Sequence, residues 1–286
     1  MGDDEMTSQR RWLVVNETSG SHQEELIAEL CEILGRQAAS DVRIIDVKKD
    51  GVPSRAELER EGVDALIVHG GDGSLNYTVR ELEGWGGALL PLPGGTANLL
   101  CHRLFEECDS TDIARRFVNG EFERRRIECV RGETVVALSE ILAGPGAKWA
   151  DVREELRESA LIEAATDAAE AISESWSGPK VALRNPPLGK EEGYAGVRLS
   201  PVGEAIKIQG YSAGTVGDFL GQGIAILKHD FREGPHDDLG SVKSVTCVGE
   251  DGAPIPLMVD GERFDGRSEE RFSLAPLDLD LFCPRT

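Results

Sequence analysis

The chain has 286 residues, enough for two modest domains or one large one with a real core. Its 52 acidic and 31 basic residues leave a net charge of −21, which disfavours nucleic acid and anionic membrane as standing partners. The six cysteines, Cys31, Cys101, Cys108, Cys129, Cys247 and Cys283, include no C-x-x-C pair, so reduced cytosolic thiols are the plain reading and zinc or a disulfide framework is not expected.

The start, MGDDEMTSQRR, lacks the apolar core of a secretory signal, and no run approaches the ~20 apolar residues that span a bilayer. Residues 12–15 form a short apolar run, the expected first strand. The turn after it, 16–21, carries Asn, Thr and Ser side chains that suit a helix cap or a phosphate contact. Leu26, Ile27, Leu30, Ile33 and Leu34 then mark one helical face. Residues 42–47 read as strand two. Residues 65–68 have the length and composition of a buried parallel strand. They run into His69-Gly70-Gly71-Asp72-Gly73-Ser74, a glycine turn with one carboxylate, and a helix is expected from Leu75 to about Leu82. Residues 88–92 are a further strand, ending in Pro93-Gly94-Gly95-Thr96-Ala97-Asn98.

Two strand–glycine–helix units thus stand about 20 residues apart. In a parallel sheet both turns fall at the carboxyl edge, where open α/β sheets bind ligands. Glycines let backbone N–H groups approach a phosphate, and a helix N-terminus behind them favours negative charge. One such turn alone is equally a tight turn. Two, each after an apolar strand, are more specific.

Residues 98–105 and 112–118 pattern as helices, the second with Ser110 or Thr111 as cap. From Gly120 the texture changes. Residues 121–130 and 133–138 read as paired strands joined by an Arg-Gly turn, with Glu123 to Arg126 as a solvated edge. Residues 151–175 carry the longest helical pattern. Residues 197–199 and 205–209 read as strands, and 210–226 is glycine-rich and apolar, as a lipid slot or a sandwich core would be. An acidic loop follows, from His229 to Asp238. The rest, to Phe282, alternates as strands do.

GGDGS followed by PGGTAN resembles the GGDGT and PxGTxN motifs of the diacylglycerol kinase catalytic family, which includes bacterial lipid kinases and sphingosine kinases and is related to NAD kinases. Asn16-Glu17-Thr18-Ser19-Gly20 is similar to that family's N-P-x-S-G loop, with Glu17 in place of the proline. Asp260-Gly261-Glu262 matches its DGE motif. Val47-Lys48 stands where the family often has a threonine, and Leu99 replaces an aspartate. The resemblance implies an α/β N-terminal domain with a parallel sheet over 1–120. A β-rich sandwich domain over 121–275 follows, and a segment, 276–286, returns to the first domain.

It implies further an ATP-dependent, Mg²⁺-assisted kinase phosphorylating a hydroxyl of a lipid such as diacylglycerol or a sphingoid base. Such a protein would be cytoplasmic, visiting the membrane surface for its substrate, with no nucleic-acid partner and no transmembrane segment; a homodimer stays open. A kinase of another hydroxyl compound, or a non-catalytic nucleotide-binding regulator, are the alternatives. Nucleotide contacts are expected from Asn16, Thr18, Ser19, Gly20, Gly70, Gly71, Asp72, Gly73, Ser74, Asn76, Gly94, Gly95, Thr96 and Asn98. Asp72 would hold Mg²⁺, Asp260 would take the acceptor's proton, and Glu262 would assist. On a strand, Asp260 and Glu262 would share one face. Asp-Gly is equally a common hairpin turn. Asp230, Asp237 and Asp238 could supply oxygens to a second metal site, or merely form a solvated acidic loop.

Overall fold

The computed structural model describes residues 9–16, 22–36, 41–105, 109–148, 178–212 and 235–285. The helix expected over 151–175, most of the 210–226 stretch, the loop residues Thr18, Ser19 and Gly20, and Asp230 lie outside them. The chain divides into two compact units, Met1–Ile127 with Pro276–Thr286, and Glu128–Ala275.

The first unit holds β1 (Arg11–Val15), α1 (His22–Gly35), β2 (Arg43–Asp46), α2 (Val47–Asp50), α3 (Arg55–Arg60) and β3 (Ala65–Gly70). It continues with α4 (Asp72–Glu81), β4 (Ala88–Pro93), α5 (Leu99–Phe105), α6 (Ser110–Val118) and β5 (Phe122–Arg125). Its sheet runs β2-β1-β3-β4, then the C-terminal strand Asp280–Pro284, then β5. The first four strands are parallel, and the C-terminal strand joins β4 in parallel through Asp280↔Ala88 and Leu281↔Leu89. Strands β1 and β3 are buried along their whole length, as strands covered on both faces must be.

Arg11 at the start of β1 is fully buried, and its Nη1 donates to the carbonyls of Leu34 at 2.8 Å and Arg36 at 2.9 Å. Helix α1 has no basic residue in its last turn, so a strand residue closes its orphan carbonyls. The guanidinium also lies 5.1 Å from the Phe117 ring centroid, and burial pulls its pKa down to about 10. Helix α6 packs Ile113, Ala114, Phe117 and Val118 inward, with Phe117 edge-on to Phe282 at 4.7 Å. Its cap is Asp109, which accepts from Asp112 N–H at 2.7 Å; Ser110 instead donates to the Pro93 carbonyl at 2.8 Å.

The stretch 121–130 is not one strand. It splits into β5, held beside the C-terminal strand, and β6 (Glu128–Arg131) of the second unit. The arginines of the edge are paired: Arg126 with Asp278 at 2.8 Å and Asp280 at 3.3 Å, and Arg124 with Asp280 at 3.3 Å.

The second unit adds β7 (Val136–Ala137), β8 (Ile141–Ala143), β9 (Val181–Arg184), β10 (Gly196–Val202) and β11 (Ala205–Tyr211). After these come β12 (Asp237–Val242), β13 (Ser244–Gly249), β14 (Pro256–Val259), β15 (Glu262–Asp265) and β16 (Glu269–Pro276). They form two sheets, β12-β11-β10-β8-β14-β15 and β7-β6-β16-β13-β9. One core fills the space between them: Ile141, Val197, Leu199, Ile208 and Leu257 from the first sheet meet Val130, Leu183, Val245, Cys247 and Phe272 from the second. The unit is a β-sandwich, and burial pushes the Cys247 thiol up to about 12. No helix among the described residues is long and apolar enough to cross a membrane.

Candidate functional site

Because β1 to β4 are parallel, the segments after them emerge at one edge of the first unit's sheet. Asn16 follows β1, Lys48 and Lys49 lie in α2 after β2, and the two glycine turns follow β3 and β4. The register aligns Asp46, Val15, His69 and Leu92 across the four strands.

The first turn is shorter than its glycines suggest. His69 and Gly70 finish β3, Gly71 is the N-cap, and α4 begins at Asp72 rather than Leu75. Gly73 and Ser74 therefore lie in the first helical turn. No side chain caps this helix, whereas Ser54 and Asp109 cap α3 and α6. Its first N–H groups present an uncapped positive end.

The glycines serve contact between the turns. Gly94 N–H donates to Gly70 C=O at 3.0 Å. A Cβ on Gly94 would stand 2.8 Å from Gly70 N, and one on Gly95 would stand 2.6 Å from Gly71 Cα. A Cβ on Gly71 would meet Gly95 Cα at an ordinary 3.5 Å, and the Gly71 φ of −78° suits any residue. The turn after β4 thus requires glycine more strictly than the turn after β3.

Side chains knit the turns together. Asn98, in the left-handed region at φ 47°, accepts from Gly95 N–H at 2.8 Å and donates to Gly95 C=O at 2.9 Å. Its amide braces the loop. Asp72 Oδ1 accepts from Leu100 N–H at 3.2 Å, so the carboxylate in the first turn closes the start of α5 after the second. Burial first, and the Asp72 charge second, push the Cys101 thiol upward. Asn16 Nδ2 donates to Ser74 Oγ at 3.1 Å, bringing the end of β1 to the same place. Thr96 is exposed at the tip, while Asn76 is buried on the inner face of α4. His69 is buried beside the turns, a residue that sequence reading passed over as part of a glycine loop.

In the second unit, Asp260 and Gly261 are the two central residues of a tight hairpin. Val259 pairs with Glu262, and φ is positive at both turn residues, 47° and 90°. This is the type I′ pattern. Asp260 and Glu262 therefore do not alternate along one strand. Asp260 is 3% exposed, and its carboxylate accepts from the N–H groups of Leu138 at 2.7 Å, Ser139 at 2.8 Å and Glu140 at 2.9 Å. Glu262 is exposed. Nearby, buried Glu140 pairs with Arg198 at 2.7 Å, Arg198 donates to Gln209 at 3.2 Å, and Gln209 meets His236 at 2.6 Å. No local sequence pattern marks this polar row.

The proposed second metal site is not assembled among the described residues. Asp237 pairs with Lys190 at 3.1 Å, which draws its pKa down, and Asp238 accepts from Gly240 N–H at 3.0 Å. Both open β12 and are not in a loop. No cluster of three or more His, Cys, Asp or Glu side chains among the described residues could hold a metal.

The chain matches the diacylglycerol kinase catalytic domain over residues 10–129. No curated protein matches it in sequence. Among solved structures it is similar to a diacylglycerol kinase from Bacillus anthracis str. Sterne, at 14% identity and a TM-score of 0.64, covering 96% of this chain and 97% of that one. A second, described as a candidate diacylglycerol kinase of the same strain, gives 16% identity and a TM-score of 0.64 over 96% of each chain. At such identities the likeness is one of fold. The match spans the same strands and glycine turns that carry the motif resemblance.

Proposed function

We propose that the chain is an ATP-dependent kinase that phosphorylates a hydroxyl group of a lipid, such as diacylglycerol or a sphingoid base. The observation that carries this is the uncapped N-terminus of α4, set behind two interlocked glycine turns at the carboxyl edge of a parallel sheet. Such an edge suits phosphate groups, because the first N–H donors of the helix lack a capping side chain. Lys48 on the same edge would offset part of the chain's negative field, whereas Lys49 is paired with Asp46 at 2.7 Å.

A nucleotide triphosphate would lie against Gly71, Gly73 and Ser74, with Thr96 exposed beside it. Mg²⁺ would be held by Asp72, directly or through water, and would supply charge neutralisation for the transferred phosphoryl group. The remaining work of the chain is positioning. Asn98, Asp72 and Asn16 fix the turns so that the donors need not reorganise during transfer. For the acceptor proton, Glu262 is the accessible carboxylate of the DGE motif, and Asp260 is committed to three backbone donors.

The reading is tested by titrating Mg–ATP into the protein by calorimetry, then offering labelled ATP with extracted lipids in mixed vesicles. Binding with label transferred to lipid is expected. Binding without transfer to any lipid or soluble alcohol would favour a nucleotide-binding regulator, and no binding would remove the kinase reading altogether.

A further inference from the structure

The polar row of the second unit lies on the sheet face turned away from the sandwich core. Ile141, Val197, Leu199 and Ile208 fill the core. Their strand neighbours Leu142, Arg198 and Gln209 therefore point to the other face. The register sets Arg198 opposite Leu142 on one side and Gln209 on the other, and Glu140 stands two residues before Leu142. Arg198 Nε donates to the Glu140 carboxylate at 2.7 Å, and the Glu140 side chain is only 2% exposed. Arg198 Nη1 donates to Gln209 Oε1 at 3.2 Å. With its oxygen so used, Gln209 turns its NH₂ group to His236 Nε2, 2.6 Å away. The guanidinium is thus held from two sides in one orientation.

Glu140 also grips Asp260 through its backbone. Its N–H donates to Asp260 Oδ1 at 2.9 Å, and its C=O accepts from Asp260 N–H at 3.0 Å. We propose that Arg198 and Glu140 are positioning residues: Arg198 fixes Glu140, residues 138–140 fix Asp260, and the hairpin so anchored sets where Glu262 stands. The consequence for transfer rests on the reading of Glu262 as the group that takes the acceptor's proton; the clamp itself rests on the hydrogen-bond geometry.

Stability alone does not account for the ion pair. Taking a carboxylate and a guanidinium out of water costs about as much as their attraction returns, so apolar side chains of similar size hold such a place equally well. This face accepts them, since Leu142, Met258 and Tyr211 are buried on it. What an apolar pair lacks is direction. Nε and Nη1 belong to one planar fork, so bonding Glu140 and Gln209 together fixes the head of β8 against β11. Glu262 needs such support. It is exposed, it opens β15, the last strand in its sheet's order, and its pairing with Val259 places it directly after the turn that Asp260 anchors.

The test removes the ion pair without leaving a buried charge. Glu140→Met combined with Arg198→Met puts apolar chains of similar length in both places, and Arg198→Lys keeps the charge but loses the fork. The double variant is expected to unfold near the wild-type urea concentration. Amide hydrogen exchange followed by NMR reads the clamp. The N–H groups of Leu138, Ser139 and Glu140 are expected to exchange roughly tenfold faster in both variants, while those of β13 keep the wild-type rate. Transfer from labelled ATP to dioleoylglycerol in mixed vesicles reads the consequence, with kcat expected to fall roughly ten- to a hundredfold and KM for Mg–ATP unchanged. Wild-type exchange at 138–140 overturns the proposal. So does an acceleration shared equally by β13, because a merely stabilising pair acts on the whole unit. Faster local exchange with wild-type kcat overturns it as well. If the wild type itself transfers no label to dioleoylglycerol, the reading of that acceptor fails, and exchange alone decides the clamp. If the double variant does not fold, Arg198→Lys carries the same comparison.

Discussion

The contact between the two glycine turns can be broken from either side, and the two sides should behave differently. A Cβ on Gly95 would stand 2.6 Å from Gly71 Cα and 3.3 Å from Asn98 Oδ1; one on Gly71 would stand 3.5 Å from Gly95 Cα. Bringing the first contact out to an ordinary 3.4 Å requires the backbones to part by about 0.8 Å. The turn cannot yield freely, since Asn98 holds Gly95 by two hydrogen bonds of 2.8 and 2.9 Å. Overpacking against such a brace costs about 1–3 kcal/mol. Gly71→Ala meets no clash and loses at most about 1 kcal/mol, the usual difference between glycine and alanine at an N-cap. Urea unfolding of both variants should therefore place Gly95→Ala clearly below Gly71→Ala. Mg–ATP calorimetry should show Gly95→Ala weaker by about tenfold, since a displaced second turn misaligns the edge. If Gly95→Ala unfolds and binds like the wild type, or Gly71→Ala is the more damaging, the turn-on-turn account is wrong.

Arg11→Met should lower stability by about 1–3 kcal/mol in urea unfolding, because the carbonyls of Leu34 and Arg36 lose their buried donor. Asn98→Ala should be less stable in thermal melts than Asn98→Gly by about 1 kcal/mol, since both lose the amide bonds to Gly95 but only alanine resists φ 47°. Asp109→Ala should cost about 1 kcal/mol through the lost cap, with Asp109→Asn close to neutral. Asp112 N–H, more than any other cause, holds the Asp109 carboxyl below its ordinary 3.8. Its contribution is therefore present above that pH and lost as pH falls through the folded value, a dependence that Asp109→Asn should abolish in acid titrations.

What could be read in the sequence was what repeats locally. The runs at 12–15, 65–68 and 88–92 are apolar throughout because β1, β3 and β4 are covered on both faces. Helix α4 begins before its apolar pattern does, because glycines at 71 and 73 look like loop, although the first turn of a helix tolerates them. Residues 237–238 carry no strand signal because β12 is an exposed edge with few apolar side chains to alternate. The division of 121–130 between two sheets left no local mark, since either sheet accepts a short strand there. Contacts across long separations were beyond reach: Arg11 with the end of α1, Asp72 with Leu100, and Asp260 with residues 138–140 each join segments whose own patterns are silent about the partner.

Asp260 shows how the structure changes what a substitution means. As a general base, Asp260→Asn would remove basicity, keep the shape and lose roughly 10²–10⁴-fold in kcat with stability intact. As a hairpin turn residue alone, it would change nothing, because Asn-Gly forms the same turn. The observed geometry adds a third role. Both carboxylate oxygens are in use, Oδ1 accepting from Ser139 and Glu140 and Oδ2 from Leu138 at 2.7 Å. In asparagine one oxygen becomes an NH₂ group, a donor facing a buried N–H donor. The amide cannot rotate out of this conflict, since its other orientation sets NH₂ against two donors. Asp260→Asn should therefore lose about 1–3 kcal/mol of stability, and Asp260→Ala as much or more. Glu262→Gln, at an exposed position, should leave stability unchanged and, if Glu262 takes the acceptor's proton, lower kcat alone. Stability separates the roles before any substrate is known. An Asp260→Asn protein that unfolds at the wild-type urea concentration would show that the three N–H bonds carry no weight, and would return Asp260 to the position of base.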